Sequence, residues 1–75
     1  MTPTELAEAL SNRAYAFATK RETGRAIADY DRAIALDPAN AVAFNNRGLA
    51  HALRGETEEA LHDYAEAIRL RPSYA

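Results

Sequence analysis

The sequence predicts an all-α fold made of two tandem helix-turn-helix hairpins, and three observations support this. Residues 41–74 align with residues 7–40 after a shift of 34 positions, without a gap and with fifteen identical pairs. Apolar residues recur at spacings of three and four, the period of an amphipathic helix. Alanine and charged helix formers dominate, so strands are not expected. A repeat of this length is typical of stacked helical arrays, and residues 1–75 are predicted to form one domain.

The first helix is predicted to span residues 3–20. Thr2 can cap its N-terminus, Pro3 suits the first helical position, and Glu5 can complete a capping box with Thr2. The apolar positions that follow have the helical period: Leu6, Leu10, Ala14 and Phe17.

The second helix is predicted to follow a turn at residues 21–24, with Thr23 as its N-cap. The positions expected on its apolar face are Ala26, Ile27, Tyr30, Ala33 and Ile34. Asp37 and Pro38 should end the helix, because the residue before a proline is disfavoured in the α region.

The third and fourth helices repeat this cycle. Asn40 is expected to cap a helix over residues 41–53, and Gly55 should take a positive φ in the following turn. Thr57 is expected to cap a helix over residues 58–70, which ends before Pro72.

Composition and charge weigh against several classes of protein. The net charge is −2 and no basic stripe is present, so nucleic-acid binding is not expected. The chain has no cysteine, and therefore neither disulfides nor thiolate metal ligands. No apolar run approaches the length of a membrane span, and residues 1–10 lack the pattern of a signal peptide. The expectation is a soluble cytoplasmic domain that does not bind membranes.

Large, small and proline residues recur at matching offsets in the two copies. In the second copy they are Phe44, Arg47, Gly48, His51, Ala60, Tyr64 and Pro72, and in the first Leu10, Arg13, Ala14, Phe17, Ala26, Tyr30 and Pro38. This spacing resembles the 34-residue tetratricopeptide repeat, whose pattern is W-x2-L-G-x2-Y, then A-x3-F, then P. Arg13 and Arg47 depart from it at the leucine position, and His51 departs at the tyrosine position. The resemblance covers residues 7–74 and implies a short right-handed α-solenoid, with repeats at residues 7–40 and 41–74.

The resemblance also implies a binding surface. In this family the first helix of each hairpin lines a concave groove that binds an extended peptide or a partner helix. The positions implied for peptide binding are Asn12, Tyr15, Asn45, Asn46 and Leu49, with Glu8, Ser11, Thr19, Val42 and Leu53 beside them. The helical period separately places these positions away from the core face. The alternative is that they are ordinary surface residues or contacts to a missing repeat.

Catalytic, metal and cofactor sites are not expected. His51 and His62 have no surrounding ligand cluster, and His51 is interpreted as a packed, hydrogen-bonded residue. Ser11 lies in no nucleophile motif, and the acidic residues Glu58 and Glu59 belong to the first turn of a helix. The sequence therefore favours a non-catalytic protein–protein interaction module with a protein or peptide partner.

A second function is kept open, that of a structural unit that associates with copies of itself. Arrays of this kind usually contain three or more repeats and a capping helix, whereas two repeats are present here. Ala75 is in phase with the start of a further repeat. Ile68 and Leu70 are therefore expected to form an uncovered edge through which the last hairpin makes a homo-oligomer.

Overall fold

The computed structural model describes residues 1–71, and the expectations for Pro72 to Ala75 lie outside the described residues. Four α-helices follow one another: α1 (Pro3–Thr19), α2 (Thr23–Leu36), α3 (Ala41–Leu53) and α4 (Thr57–Leu70). Helix α1 packs on α2, α3 packs on α4, and α2 packs on α3 between the two hairpins. The predicted all-α class is confirmed, as two helical hairpins stacked into a short solenoid.

The predicted caps of α1 and α3 are present. The Thr2 hydroxyl accepts from the Glu5 backbone N–H at 3.1 Å, and the Glu5 carboxylate accepts from the Thr2 N–H at 3.0 Å. The Asn40 side chain accepts from the Ala43 N–H at 3.1 Å. Each contact satisfies a backbone donor that the first helical turn leaves without an internal partner.

The predicted caps of α2 and α4 are wrong. Glu22 and Glu56 occupy the N-cap positions without a side-chain cap, and Thr23 and Thr57 are already helical. The cause lies in the preceding turn, where the Glu22 N–H donates back to the Phe17 carbonyl at 2.9 Å. This bond closes the end of α1 in a Schellman arrangement, so one residue both ends the first helix and begins the second.

The equivalent turn between α3 and α4 is closed in the same way. The Glu56 N–H donates to the His51 carbonyl at 2.9 Å, and Gly55 has the predicted positive φ of 76°. Its counterpart in the first hairpin is Arg21, which takes a φ of 67° without being glycine. Both turns therefore need a left-handed residue, but only the second has the residue that adopts it without strain.

Small side chains make up most of the core and let the helices approach closely. Ala7, Ala14, Ala26 and Ala33 are fully buried in the first hairpin, and Tyr30 is buried among them. A side chain at Gly48 would meet the Tyr64 ring at 2.9 Å and the Ala60 carbonyl oxygen at 3.1 Å. The layer is thin, with extents of 34 × 29 × 17 Å, so each outer helix has a face with no helix of the described chain against it.

No helix within residues 1–71 has the length and hydropathy needed to cross a membrane. The cytoplasmic location stays a prediction.

Candidate functional site

Helices α1 and α3 contribute side by side to one surface, and the structure brings together part of the predicted peptide-binding set there. Tyr15 from α1 and Asn46 and Leu49 from α3 line a cavity of about 330 Å³. Tyr15 and Leu49 are about half exposed, whereas Asn46 is half-buried. Leu53 and Ala18 extend the lining. We call this the aromatic cavity.

Asn12 lies in a neighbouring depression rather than in the aromatic cavity. This second cavity, of about 430 Å³, is lined by Asn12 and Glu8 of α1 and by Val42 near the start of α3. Asp37, in the connection between the hairpins, also lines it. Asn45 lines neither cavity. Arg71 lines the second cavity as well, so the groove surface is divided into a mainly apolar part and a polar part with charges of both signs.

Ser11 was expected beside the groove as an accessible residue, but it is buried. It lies beneath the second cavity, and its hydroxyl has no hydrogen-bond partner within the described structure. Ala39 and Asn40 of the connection between the hairpins, and Ala41 at the start of α3, line the same cavity as Ser11.

Tyr30 closes the inner side of the aromatic cavity. Its side chain is fully buried, and its hydroxyl forms no well-formed hydrogen bond in the described structure. Burial raises the pKa of Tyr30 to about 12, an effect that the neighbouring Asn46 amide partly opposes. The cavity therefore has an apolar body with a few polar groups at its base, a composition common in sites that bind small apolar side chains.

Each hairpin contains an ion pair that joins its two helices, and neither pair was predicted from the sequence. Arg13 donates to Asp29 at 2.7 and 2.9 Å, and Arg47 donates to Asp63 at 2.8 and 2.7 Å. Hydrogen bonding to Arg13 holds the pKa of the buried Asp29 carboxyl below its usual range. The sequence did contain a signal for these pairs. Arginine and aspartate are 16 residues apart in each copy, and both residues are retained after the shift of 34 positions. The arginine departures from the family pattern are thus explained by buried aspartates opposite them.

The two histidines differ in their surroundings, and His51 lies between two carboxylates, with its Nε2 3.8 Å from Asp63 Oδ2. His51 is half-buried, and its Nδ1 lies 2.8 Å from Glu56 Oε1. This hydrogen bond is the main cause that lowers the pKa of the Glu56 carboxyl. His62 is exposed on α4. Over residues 1–71, no three His, Cys, Asp or Glu side chains come together in a group that could hold a metal ion.

Stacked helical hairpins with a two-helix groove define the class of helical-repeat proteins. The chain belongs to the tetratricopeptide repeat family: residues 41–74 match the family model described as Tetratricopeptide repeat, and residues 22–54 match the one described as TPR repeat. A comparison with curated proteins found no match. Repeats of this family generally mediate protein–protein interactions and are typically non-catalytic.

Proposed function

We propose that this protein is a non-catalytic interaction module that binds an extended peptide or a partner helix across α1 and α3. The observation that carries the proposal is the aromatic cavity, because both helices contribute to it and it is apolar with a polar base. One aliphatic or aromatic side chain of the ligand would enter between Tyr15 and Leu49. The Asn46 amide would bond to the ligand backbone, since it can donate and accept at once.

The neighbouring cavity would receive the rest of the ligand. Asn12 offers an amide there, and charges of both signs, Glu8, Asp37 and Arg71, surround it. Asn45, which lines neither cavity, would contact only a ligand that extends beyond them. Among the proposed contact residues, we expect Tyr15, Asn46 and Leu49 to contribute most to binding, because all three line the aromatic cavity.

A peptide library displayed on phage tests the proposal, followed by calorimetry on the selected peptides. The double variant Asn46→Ala and Leu49→Ala should weaken binding at least tenfold, because a central pair of contacts is removed. Leu36→Ala is the matched control, since this leucine is partly exposed at the end of α2 and lines neither cavity. Selection of no peptide, or equal binding by the double variant and wild type, would contradict the proposal.

A second candidate function, self-association, is favoured by a different surface. Leu61 and Ile68, seven residues apart on one face of α4, are 61% and 51% exposed, whereas the half-buried Leu70 lies on another side of the helix. Apolar side chains grouped on one helix face are typical of interaction surfaces. Light scattering up to high micromolar concentration measures this directly. A mass that stays that of one chain at every concentration argues against homo-oligomers.

A further inference from the structure

The outer face of α4 repeats the face of α2 that lies in the junction between the hairpins. A shift of 34 residues places Leu61 at the position of Ile27 and Ile68 at the position of Ile34. Ile27 and Ile34 are half-buried, whereas their α4 counterparts are exposed. The difference arises because α2 is covered by α3, and no helix of the described chain covers α4.

The outer face of α1 repeats the face of α3 that packs on α2. Ala43 and Ala50 are fully buried, and the residues 34 positions earlier, Ala9 and Ala16, are exposed. The small size of these residues is what allows the close approach of two helices at the junction. The two faces that meet at the α2–α3 junction therefore each occur a second time, the α2 face on α4 and the α3 face on α1.

We infer that the outer face of α4 in one copy binds the outer face of α1 in another, reproducing the α2–α3 junction between molecules. This inference rests on the self-association proposed above and adds the second surface and the polarity of the contact. The established interface inside the chain identifies the occupant, because only a helix with the α3 pattern is seen to cover an α2-like face. A contact between two different surfaces is heterologous, so the assembly continues head to tail rather than closing as a two-fold dimer.

The intermolecular junction lacks one interaction of the internal one. Inside the chain, Arg47 Nη1 donates to Asp31 across the junction at 2.8 Å. Arg13 is the counterpart of Arg47 on α1, but the counterpart of Asp31 on α4 is Ala65, which has no carboxylate. The contact between copies is therefore weaker than the internal junction, and assembly depends on protein concentration.

Two variants, each with one of the two faces blocked, test whether the copies associate head to tail. Leu61→Glu with Ile68→Glu blocks the α4 face, and Ala9→Glu with Ala16→Glu blocks the α1 face. All four positions are exposed, so each variant should keep its helical circular dichroism. Sedimentation velocity at high micromolar concentration should show wild-type oligomers beyond the dimer, single chains for each variant alone, and dimers only for their equimolar mixture. Because both blocks are acidic, the blocked faces cannot attract each other.

The outcomes separate the inference from the function on which it rests. A monomeric wild type would overturn self-association altogether, and with it the inference. Wild-type dimers that persist in the α1-blocked variant, with no gain on mixing, would leave self-association standing and overturn the head-to-tail polarity.

A gain-of-function variant provides an independent measurement. Ala65→Asp restores the carboxylate that Asp31 supplies in the internal junction, so it should pair with Arg13 of the next copy. We expect association to tighten about three- to tenfold, in line with charged pairs at partly exposed contacts. Ala65→Asn, of equal size but uncharged, is the control and should remain near wild type. Equal affinity of the Asp and Asn variants would contradict the register proposed here.

Discussion

The Arg47 guanidinium binds the Asp63 carboxylate through two hydrogen bonds, of 2.8 and 2.7 Å, and so ties α3 to α4. Its remaining Nη1 donates to Asp31 on α2 at 2.8 Å. One side chain therefore joins three helices and both hairpins. Since Asp63 is almost fully buried, these two hydrogen bonds are its closest charged contacts, and His51 Nε2 lies farther away, at 3.8 Å.

Removal of Arg47 should destabilise the protein more than removal of Arg13. Arg47→Met leaves the buried Asp63 carboxylate without its two arginine hydrogen bonds and with His51 Nε2 at 3.8 Å, at an expected cost of about 3 kcal/mol in the free energy of unfolding. Arg13→Met should cost roughly half as much, because Arg13 is 56% exposed and makes no contact across the junction. Urea unfolding followed by circular dichroism measures both. Replacing the whole pair, as Arg47→Met with Asp63→Leu, should recover much of the loss, and equal effects of the two single variants would contradict this account.

The positive φ at Arg21 and at Gly55 predicts opposite changes in stability when glycine is introduced at the first position and removed from the second. Arg21→Gly should stabilise the protein by about 0.5–1 kcal/mol, because a non-glycine residue there is held at a φ of 67°. Gly55→Ala should destabilise it by about 1 kcal/mol, since its φ is 76° and only the backbone strain changes. Thermal unfolding provides the comparison. A loss of stability in Arg21→Gly would mean that the arginine side chain stabilises the turn by more than the strain costs.

The packing of α3 on α4 predicts that Gly48 cannot accept a side chain freely. Gly48→Ala would place a methyl group 2.9 Å from the Tyr64 ring and 3.1 Å from the Ala60 carbonyl oxygen, so the ring and the α4 backbone must shift. We expect a cost of about 1–3 kcal/mol in urea unfolding. Gly24→Ala is the matched control, because the nearest atom is an Arg54 side-chain nitrogen at 3.6 Å. That variant should change stability by less than about 0.5 kcal/mol, because Gly24 is the second residue of α2 and not an interior one, and an equal loss in both variants would rule out the steric explanation.

The buried Tyr30 hydroxyl predicts a loss of stability at alkaline pH. Burial raises the pKa of Tyr30 to about 12, above the value near 10 of an unfolded tyrosine, so the folded state keeps the proton longer. Its contribution is fully present below pH 10 and is lost as the pH rises towards 12, by about 2–3 kcal/mol. Tyr30→Phe should remove this dependence while changing stability at pH 7 by less than about 1 kcal/mol, since the hydroxyl forms no well-formed hydrogen bond. Urea unfolding of both proteins between pH 8 and 12 measures the difference, and parallel curves would contradict the prediction.

Much of the fold could be read from the sequence because its determinants are local. The caps at Thr2 and Asn40, the positive φ of Gly55 and the helical period depend on residues within one or two turns of each other. The caps at Thr23 and Thr57 were mispredicted for a related reason. A threonine before an apolar run suggests a cap, but the hydrogen bond that closes the preceding helix decides where the next one begins.

The candidate site could be predicted less completely. The family resemblance and the helical period together placed Tyr15 and Leu49 on an accessible surface, yet they also placed Ser11 there, and Ser11 is buried. Period describes one helix at a time, whereas burial of a groove residue depends on what lies across from it.

By itself, the sequence determined the number of helices, their order and the repetition of one hairpin, since these follow from local spacing and capping. Only the tertiary structure showed that Arg47 joins both hairpins through Asp63 and Asp31. It also showed that Tyr15, Asn46 and Leu49 meet in one cavity while Asn12 lies in another. These relationships depend on the distance between helices, which is set by the small residues at their contacts and not by the pattern within any one helix.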